Sequence, residues 1–400
     1  MKLRKKLLVI TAVSLSAALC ACGESGSLDD SSSSRLEEQS FAGGSDETIG
    51  EGESSGAASE GVSGVSSVSS SSLSSDEKDG WDIVLSEENT LEKSYTSVDD
   101  LNVEPGSSVA IVAKEIDLAY WKAVREGAEQ AIDEINEKYG YEKDEKVTLI
   151  FDGTKNSTDV DGQINAIDSV LSENPTALCI AAIDMDSCQS QLETASENGI
   201  PVITLDSGIE STLVKANCTT DNVSAGKLAM RKMCESISEV GKIAIVTHSQ
   251  SQKSAVERNE GFAEEIANHS KVEVKARLEE NDEESIESMI QATLEVTPEL
   301  DGIICTNEST TEQVLDALTD LERSDIRVVG FDMGKKQQAA IRDGSEYGTV
   351  SENPRGMGYA AVVAALRAAS GETVDANIET GYCWIDGENI DQEANRLYIY

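Results

Sequence analysis

The sequence predicts an α/β fold of two lobes, each a mostly parallel sheet covered by helices on both faces. Three observations carry this. From Ser108 onward, short and nearly all-apolar strands alternate with amphipathic helices, the pattern of parallel strands buried on both sides. The alternation runs for roughly 290 residues, more than one hydrophobic core usually holds. Polar residues also recur directly after the apolar strands, where ligands bind in open parallel sheets.

Residues 109–113 form the first buried strand. In the helix from Tyr120 to about Tyr139, residues Trp121, Val124, Ala128, Ala131, Ile132 and Ile135 share one face. Residues 147–151 are the second strand, 163–171 a helix, 177–182 a strand and 189–198 a helix closed by Gly199 as C-terminal cap. Strand 200–205 follows. The rhythm resumes with helix 225–237, strand 242–247, helix 257–268 and strand 272–278. Helix 284–294, strand 302–306 and helix 311–318 come next, then strands 326–331 and 347–350 and a helix over 357–369.

The start of the chain reads differently. Lys2, Arg4, Lys5 and Lys6 precede an apolar run over 7–19 that is too short for a permanent membrane span. Leu19-Cys20-Ala21-Cys22-Gly23 closes it and resembles a bacterial lipobox, with Leu19 three residues and Ala21 one residue before the acylated Cys22. Residues 1–21 are therefore expected to be a signal peptide. Cys22 is the expected lipid anchor, on the extracytoplasmic face of the cell membrane; a diacylglycerol with further acylation of the amine supplies the chains stable anchoring requires. Residues 23–80 are Ser, Gly and acidic residues with too little apolar surface to offset ordering entropy. The whole of 22–106 is expected to be a disordered tether reaching roughly 50 Å, with the structure of 81–105 left open.

Composition excludes several functions. The chain has 75 acidic and 32 basic residues and a net charge of −43; phosphate backbones are bound by Lys and Arg clusters, so no nucleic-acid partner is expected. Cys179, Cys188, Cys218, Cys234, Cys305 and Cys383 form no C-x-x-C pair, and His248 and His269 are the only histidines; no metal site is expected, and a buried apolar role suits cysteines inside strands. There is no P-loop and no dinucleotide fingerprint after the first strand, and the G-x-S-x-G match at Gly52–Gly56 lies in the Ser/Gly-rich segment, not between a strand and a helix as a nucleophile elbow requires. The expectation is a binding protein without a cofactor, not an enzyme.

The informative residues lie at strand ends. Lys114 and Asp117 follow the first strand, Asp184 and Asp186 the third and Asp206 the fourth. Arg258 opens a helix, Asn307 and Asp332 follow later strands, and Glu352 follows the last. Taken singly, each acid is more commonly a solvated loop residue or helix cap. Converging on one cleft, carboxylates accept from hydroxyls and a guanidinium donates a planar pair of bonds, a set suited to a sugar or polyol. Tyr120 and Trp121 can cover the apolar face of a ring.

From about Ser107 to Tyr400 the chain resembles the type I periplasmic binding proteins of the ribose- and galactose-binding group. The resemblance rests on Ala119-Tyr-Trp-Lys-Ala-Val-Arg-Glu-Gly127-Ala, Gly199-Ile-Pro-Val-Ile-Thr-Leu-Asp206 and Thr220-Asp-Asn-Val-Ser-Ala-Gly226. Arg258-Asn-Glu-Gly-Phe262, Val328-Val-Gly-Phe-Asp332 and Thr349-Val-Ser-Glu-Asn-Pro354 continue it in order. It implies two Rossmann-like lobes joined by a three-stranded hinge, with crossings near Thr220, Glu352 and Ile378. The expected lobes are 107–220 plus 353–378, and 221–352 plus 379–400. It also implies sugar contacts at Asp206, Arg258, Asn307 and Asp332, with Tyr120 and Trp121 in the aromatic positions. Ser207 stands where ribose binders have a second arginine, Leu118 replaces an asparagine and Ala181 another polar contact; Glu352 stands where glutamine is common and Lys114 where a small hydroxyl residue is. The implied function is that of a monomeric solute receptor for an ABC permease. The alternative is a receptor of the same fold that binds a sugar or autoinducer-2 and signals to a membrane kinase. Sugar-responsive repressors share the fold, but a signal and an acidic tether occupy the place of their basic DNA-reading domain.

Overall fold

Residues Val109 to Ala113 have no solvent exposure because parallel strands flank them on both sides and helices cover both faces. The computed structural model describes residues 93–281 and 283–400. The signal segment, Cys22 and most of the expected tether lie outside the described residues.

In chain order the first elements are β1 (Ser108–Ala113), α1 (Ala119–Tyr139), β2 (Thr148–Gly153), α2 (Val160–Ser172) and β3 (Ala177–Ile180). Then come α3 (Gln189–Glu197), β4 (Val202–Leu205), β5 (Val214–Thr219), α4 (Asn222–Ser236) and β6 (Gly241–Thr247). Next are α5 (Lys253–Ile266), β7 (Val272–Glu279), α6 (Ile286–Val296), β8 (Gly302–Cys305), α7 (Glu308–Asp320) and β9 (Arg327–Phe331). The last are α8 (Lys335–Asp343), β10 (Gly348–Glu352), α9 (Pro354–Ala369), β11 (Asn377–Glu379) and β12 (Tyr382–Asp386).

The strands form two six-stranded sheets of matching order, β11-β5-β4-β3-β1-β2 and β12-β10-β9-β8-β6-β7. All pairings are parallel except β10 with β12. Each sheet with its helices makes one lobe, and the chain passes between the lobes at 219–222, 352–354 and 379–382. Matching order means matching positions: β4 corresponds to β9, and α1 after β1 corresponds to α5 after β6.

Each lobe places a close helix pair behind its strand ends. A Cβ on Gly127 of α1 would collide with the Arg355 carbonyl of α9, and one on Gly358 with the Val124 carbonyl. In the other lobe Gly226 of α4 abuts the Arg258 carbonyl and Gly261 of α5 abuts the Val223 carbonyl. The glycines in the recognised motifs thus let two helix backbones touch, which fixes where Arg258 stands.

Several expectations are corrected. The expected tether extended to residue 106, but Tyr95, Val98, Leu101 and Val103 are buried against the first lobe. The Tyr95 hydroxyl donates to Asp375 Oδ2 at 2.8 Å, and Lys138 Nζ donates to the Val98 carbonyl at 2.8 Å. Apolar side chains recurring every two or three residues, at 95, 98, 101 and 103, give this segment enough surface to dock. Helix α5 begins at Lys253, four residues earlier than expected, after Gln252 in extended conformation. Arg258 is therefore not a helix opener but lies a turn inside α5. The buried apolar role expected of the strand cysteines is met: the six are free thiols, five of them buried, and burial raises the Cys179 thiol to about 12.

Candidate functional site: the interlobe cleft

The site is built around two aspartates in equivalent positions. Asp206 follows β4 and Asp332 follows β9, and both have left-handed backbone, with φ of 58° and 73°. That conformation is uncommon for a non-glycine residue and is sustained by surrounding contacts. Those contacts match between lobes. Asp206 N donates to the Cys218 carbonyl at 2.9 Å, and Asp332 N to the Val350 carbonyl at 2.9 Å. Thr219 Oγ1 donates to the Asp206 carbonyl at 2.8 Å, and Thr349 Oγ1 to the Asp332 carbonyl at 2.9 Å. The next strand in each sheet thus twists its aspartate out of the ladder and toward the opposite lobe.

A cavity of about 40 Å³ lies between them, with Lys114, Tyr120, Trp121, Asp206, Arg258, Asn307 and Asp332 among its lining residues. Lys114 Nζ lies 2.6 Å from Asp206 Oδ2 and donates to Gln252 Oε1 of the other lobe at 2.7 Å. The Tyr120 hydroxyl donates to Asp206 Oδ1 at 3.2 Å. Trp121 meets Tyr120 edge to face at 5.1 Å, and the Lys114 ammonium sits 5.8 Å from the Trp121 ring centre. Burial, reinforced by Glu352, Asp206 and Asp332, raises the Tyr120 phenol well above its ordinary range, so its hydroxyl stays protonated as a donor.

Arg258 is 2% exposed and spends its guanidinium on the protein. Nε donates to Asn222 Oδ1 at 2.8 Å, one terminal nitrogen to the Thr306 carbonyl at 2.7 Å and the other to Glu352 Oε2 at 2.5 Å. Its plane lies over Phe331 at 4.3 Å. Burial opposes the charge, but Glu352, Asp332 and Asp206 outweigh it and raise the Arg258 pKa. Glu352 does not line the cavity; it holds Arg258 from behind. Asp332 accepts from Glu308 N at 3.0 Å through Oδ2, while its Oδ1 is buried without a partner. Burial first, then Glu352, raises the Asp332 carboxyl well above the usual range, with Arg258 opposing. Asn307 lines the cavity and caps α7, its Oδ1 accepting from Thr310 N at 2.9 Å.

The structure does not bring Asp117 to this cavity. Because α1 starts at Ala119, the preceding turn points outward, and Asp117 is exposed in a separate groove with Lys122, Glu126, Lys335 and Arg355. Asp184 and Asp186 are also absent from the lining, and Asp184 Oδ1 accepts instead from Asp186 N at 2.9 Å. Sequence reasoning missed Gln252, His248, Ser254, Glu308, Glu115 and Ser157, which line the cavity. His248 directly follows β6 and Glu308 directly follows Asn307, so extending the strand-end rule by one residue would have found both. Burial, followed by Lys114 and Arg258, pushes the His248 imidazole well below its usual range; it stays neutral, with Nδ1 2.7 Å from Thr306 Oγ1.

Comparison with known proteins agrees with this geometry. Residues 109–373 match the family described as periplasmic binding protein domain. The ribose import binding protein of Escherichia coli is 24% identical over 275 residues, covering 69% of this chain and 89% of that protein. The xylitol-binding protein of Mycolicibacterium smegmatis is 24% identical over 215 residues, covering 53% of this chain and 61% of the relative. Among solved structures, an ABC transporter solute-binding protein from Agrobacterium vitis with bound D-fucose is 25% identical with a TM-score of 0.66, covering 74% of this chain and 100% of the other. A sugar-transport periplasmic component from Hahella chejuensis is 29% identical with a TM-score of 0.64, covering 70% and 99%. These relatives are named as binding proteins, not enzymes. Two matched α/β lobes, three crossings between them and paired aspartates over one cleft make this chain a member of the periplasmic binding protein family.

Proposed function

We propose that this protein captures a monosaccharide or related polyol between its lobes and presents it to an ABC importer. The supporting observation is the pairing of Asp206 and Asp332, equivalent residues that reach one cavity from opposite lobes. Asp332 Oδ1 offers a buried acceptor, Arg258 and Asn307 offer donors, and Trp121 with Tyr120 offers an aromatic wall. The names of relatives that bind ribose and xylitol, and of a neighbour holding D-fucose, support the ligand class.

The mechanism is capture by closure. The cavity is on the scale of one water molecule's share of volume, ~30 Å³, so a monosaccharide enters with the lobes parted or with Lys114 and Gln252 withdrawn. Ligand contacts made from both sides then favour the closed arrangement. Ser207 and Lys114 distinguish the pocket from a ribose site: Ser207 is buried against the start of α5, and Lys114 occupies both the cleft and one oxygen of Asp206. The reading favours a sugar other than ribose.

The receptor is proposed to act as a monomer held at the outer face of the cell membrane by acylated Cys22. Replacing Cys22 with Ser should move the protein from membrane to soluble fractions, and persistent membrane association would count against the anchor. For the ligand, the test is a thermal-shift screen with D-ribose, D-fucose, D-arabinose, xylitol, nucleosides and autoinducer-2, followed by calorimetry. One sugar or polyol should raise the melting temperature by linkage. If only a nucleoside or autoinducer-2 does so, the sugar reading is wrong.

A further inference from the structure

Two equivalent helices, α1 after β1 and α5 after β6, lack caps of their own. Helix α1 starts after Leu118, which has no side-chain oxygen, and has no acidic residue in its first turn. Helix α5 starts after Gln252, whose side chain makes no capping bond, and also has no acidic residue there. An uncapped N-terminus leaves N–H groups without partners and the positive end of the helix dipole uncompensated. Here one N–H at each end finds its acceptor across the cleft. Tyr120 N, the second residue of α1, donates to Glu308 Oε2 at 3.3 Å. Ser254 N, the second residue of α5, donates to Ser207 Oγ at 3.4 Å. Glu308 belongs to the second lobe and Ser207 to the first, so the exchange is reciprocal, at the same helical position in equivalent helices. Both acceptors are buried, Glu308 at 4% exposure and Ser207 at none.

We propose that Glu308 and Ser207 are positioning residues for capture: each completes an equivalent helix of the opposite lobe, α1 or α5, and does so only while the lobes are together. This rests on the reading of the cleft as a closing ligand site. The geometry ties the caps to that site directly. Glu308 N is held by Asp332, Ser207 follows Asp206, and the capped turn of α1 carries Tyr120 and Trp121. Closing the lobes therefore orders the aromatic wall, and opening them leaves two helix ends frayed. Neither residue needs to touch ligand to raise affinity.

The test is amide hydrogen exchange and small-angle scattering on the full chain without ligand, comparing the parent with Glu308→Ala, Ser207→Ala and Leu118→Asn/Glu308→Ala. Removing a cap should speed exchange in the facing segment by about five-fold, the factor expected for a typical N-cap. That segment is 118–124 for Glu308→Ala and 252–256 for Ser207→Ala. Each single variant should also raise the radius of gyration by weakening closure. The Asn of the double variant caps α1 from within its own lobe, so it should restore slow exchange at 118–124 while the radius stays large. Unchanged exchange and radius in both single variants would overturn the proposal, as would a double variant that recovers the parent radius. If Glu308→Ala does not fold, Ser207→Ala and Glu308→Gln, which keeps the reach and an acceptor oxygen, decide the matter by the same two readouts. No ligand is used, so failure of every sugar in the screen would leave this result standing, and failure here would leave the sugar result standing.

Discussion

Arg258 and Glu352 form a fully buried ion pair, 2.5 Å between guanidinium nitrogen and Oε2, with both side chains 2% exposed. Glu352 is the last residue of β10, immediately before the 352–354 crossing, and Asn222, the other side-chain acceptor of Arg258, follows the 219–222 crossing. A single guanidinium at the cleft floor is thereby fastened to two hinge crossings. Ligand bonds to its remaining N–H groups bear on the strands that must bend when the lobes move. This explains why glutamate suits position 352: a glutamine would leave the Arg258 charge short of its nearest anion.

The pair sets a stability prediction. Arg258→Ala leaves Glu352 buried without its cation, a change that costs about 3–5 kcal/mol when one partner of a buried pair is removed. Urea denaturation of the ligand-free chain should show a loss of that size, together with loss of sugar binding. Arg258→Ala/Glu352→Leu should recover much of the stability but none of the binding. If Arg258→Ala unfolds at the parent urea concentration, the pair does not carry the load its burial implies.

Gly226 gives a second prediction, at a distance from the cleft. Its Cα lies against the Arg258 carbonyl, where a methyl group has no room. Gly226→Ala must push α5 outward and carry Arg258 away from Glu352 and Thr306. We expect destabilisation of about 1–3 kcal/mol, typical of overpacking, and sugar affinity weakened at least ten-fold. Gly199→Ala is the control, because no atom crowds a Cβ there, although its φ of +71° still costs stability. It should lower the melting temperature without a separate loss of affinity.

Much of this was legible from sequence because an apolar run followed by an acid marks both a buried strand and its cleft end. Asp206 after β4 and Asp332 after β9 follow that rule and meet at the cavity. The rule gives chain position, not direction, so it also selected Asp117, which the start of α1 at Ala119 turns outward. Strand β5 went unread because its alternating pattern of half-buried and buried residues, VKANCT, lacks an apolar run. Helix α8, KKQQAAIRD, was too polar to stand out. The neighbours of Glu308 place it at the cleft but not its bond to α1, since its partner Tyr120 is 188 residues away in the other lobe. Contacts between lobes are set by how two finished folds meet, which local periodicity does not encode.

Protonation gives a third prediction. Glu115 and Glu308 are each raised from 4.5 to about 7, in both cases mainly by burial. Glu280 faces Glu115 from the second lobe, with Asp117 adding to it and Lys114 opposing. Glu312 lies beside Glu308, with Glu115 adding and the Tyr120 N–H and Lys122 opposing. The folded protein therefore holds more protons than the unfolded chain between about pH 4.5 and 7, and these groups favour folding at low pH and lose that advantage as pH rises through 7. Glu115→Gln removes one of them, so its melting temperature relative to the parent should climb between pH 5 and 8. A difference that stays flat would show that Glu115 ionises without hindrance.

The two equivalent aspartates should separate when their charges are removed. Asp206 Oδ2 lies 2.6 Å from the Lys114 ammonium, itself buried, so Asp206→Asn strands that cation and should cost about 3 kcal/mol or more. Asp332 has no lysine, and its Oδ1 is buried without a partner. An asparagine there still accepts from Glu308 N and removes a carboxyl whose charged form burial and Glu352 already disfavour. Asp332→Asn should leave the ligand-free melting temperature unchanged or raise it. It should nonetheless weaken sugar binding by about ten-fold, since an amide in place of the carboxyl mispairs a ligand hydroxyl, and a buried polar group left unpaired costs about 1–3 kcal/mol. Calorimetry and thermal melts on the two variants check this together. Equal destabilisation by both would mean that the charge of Asp332 supports the fold, and that its selection for ligand is not what distinguishes it from Asp206.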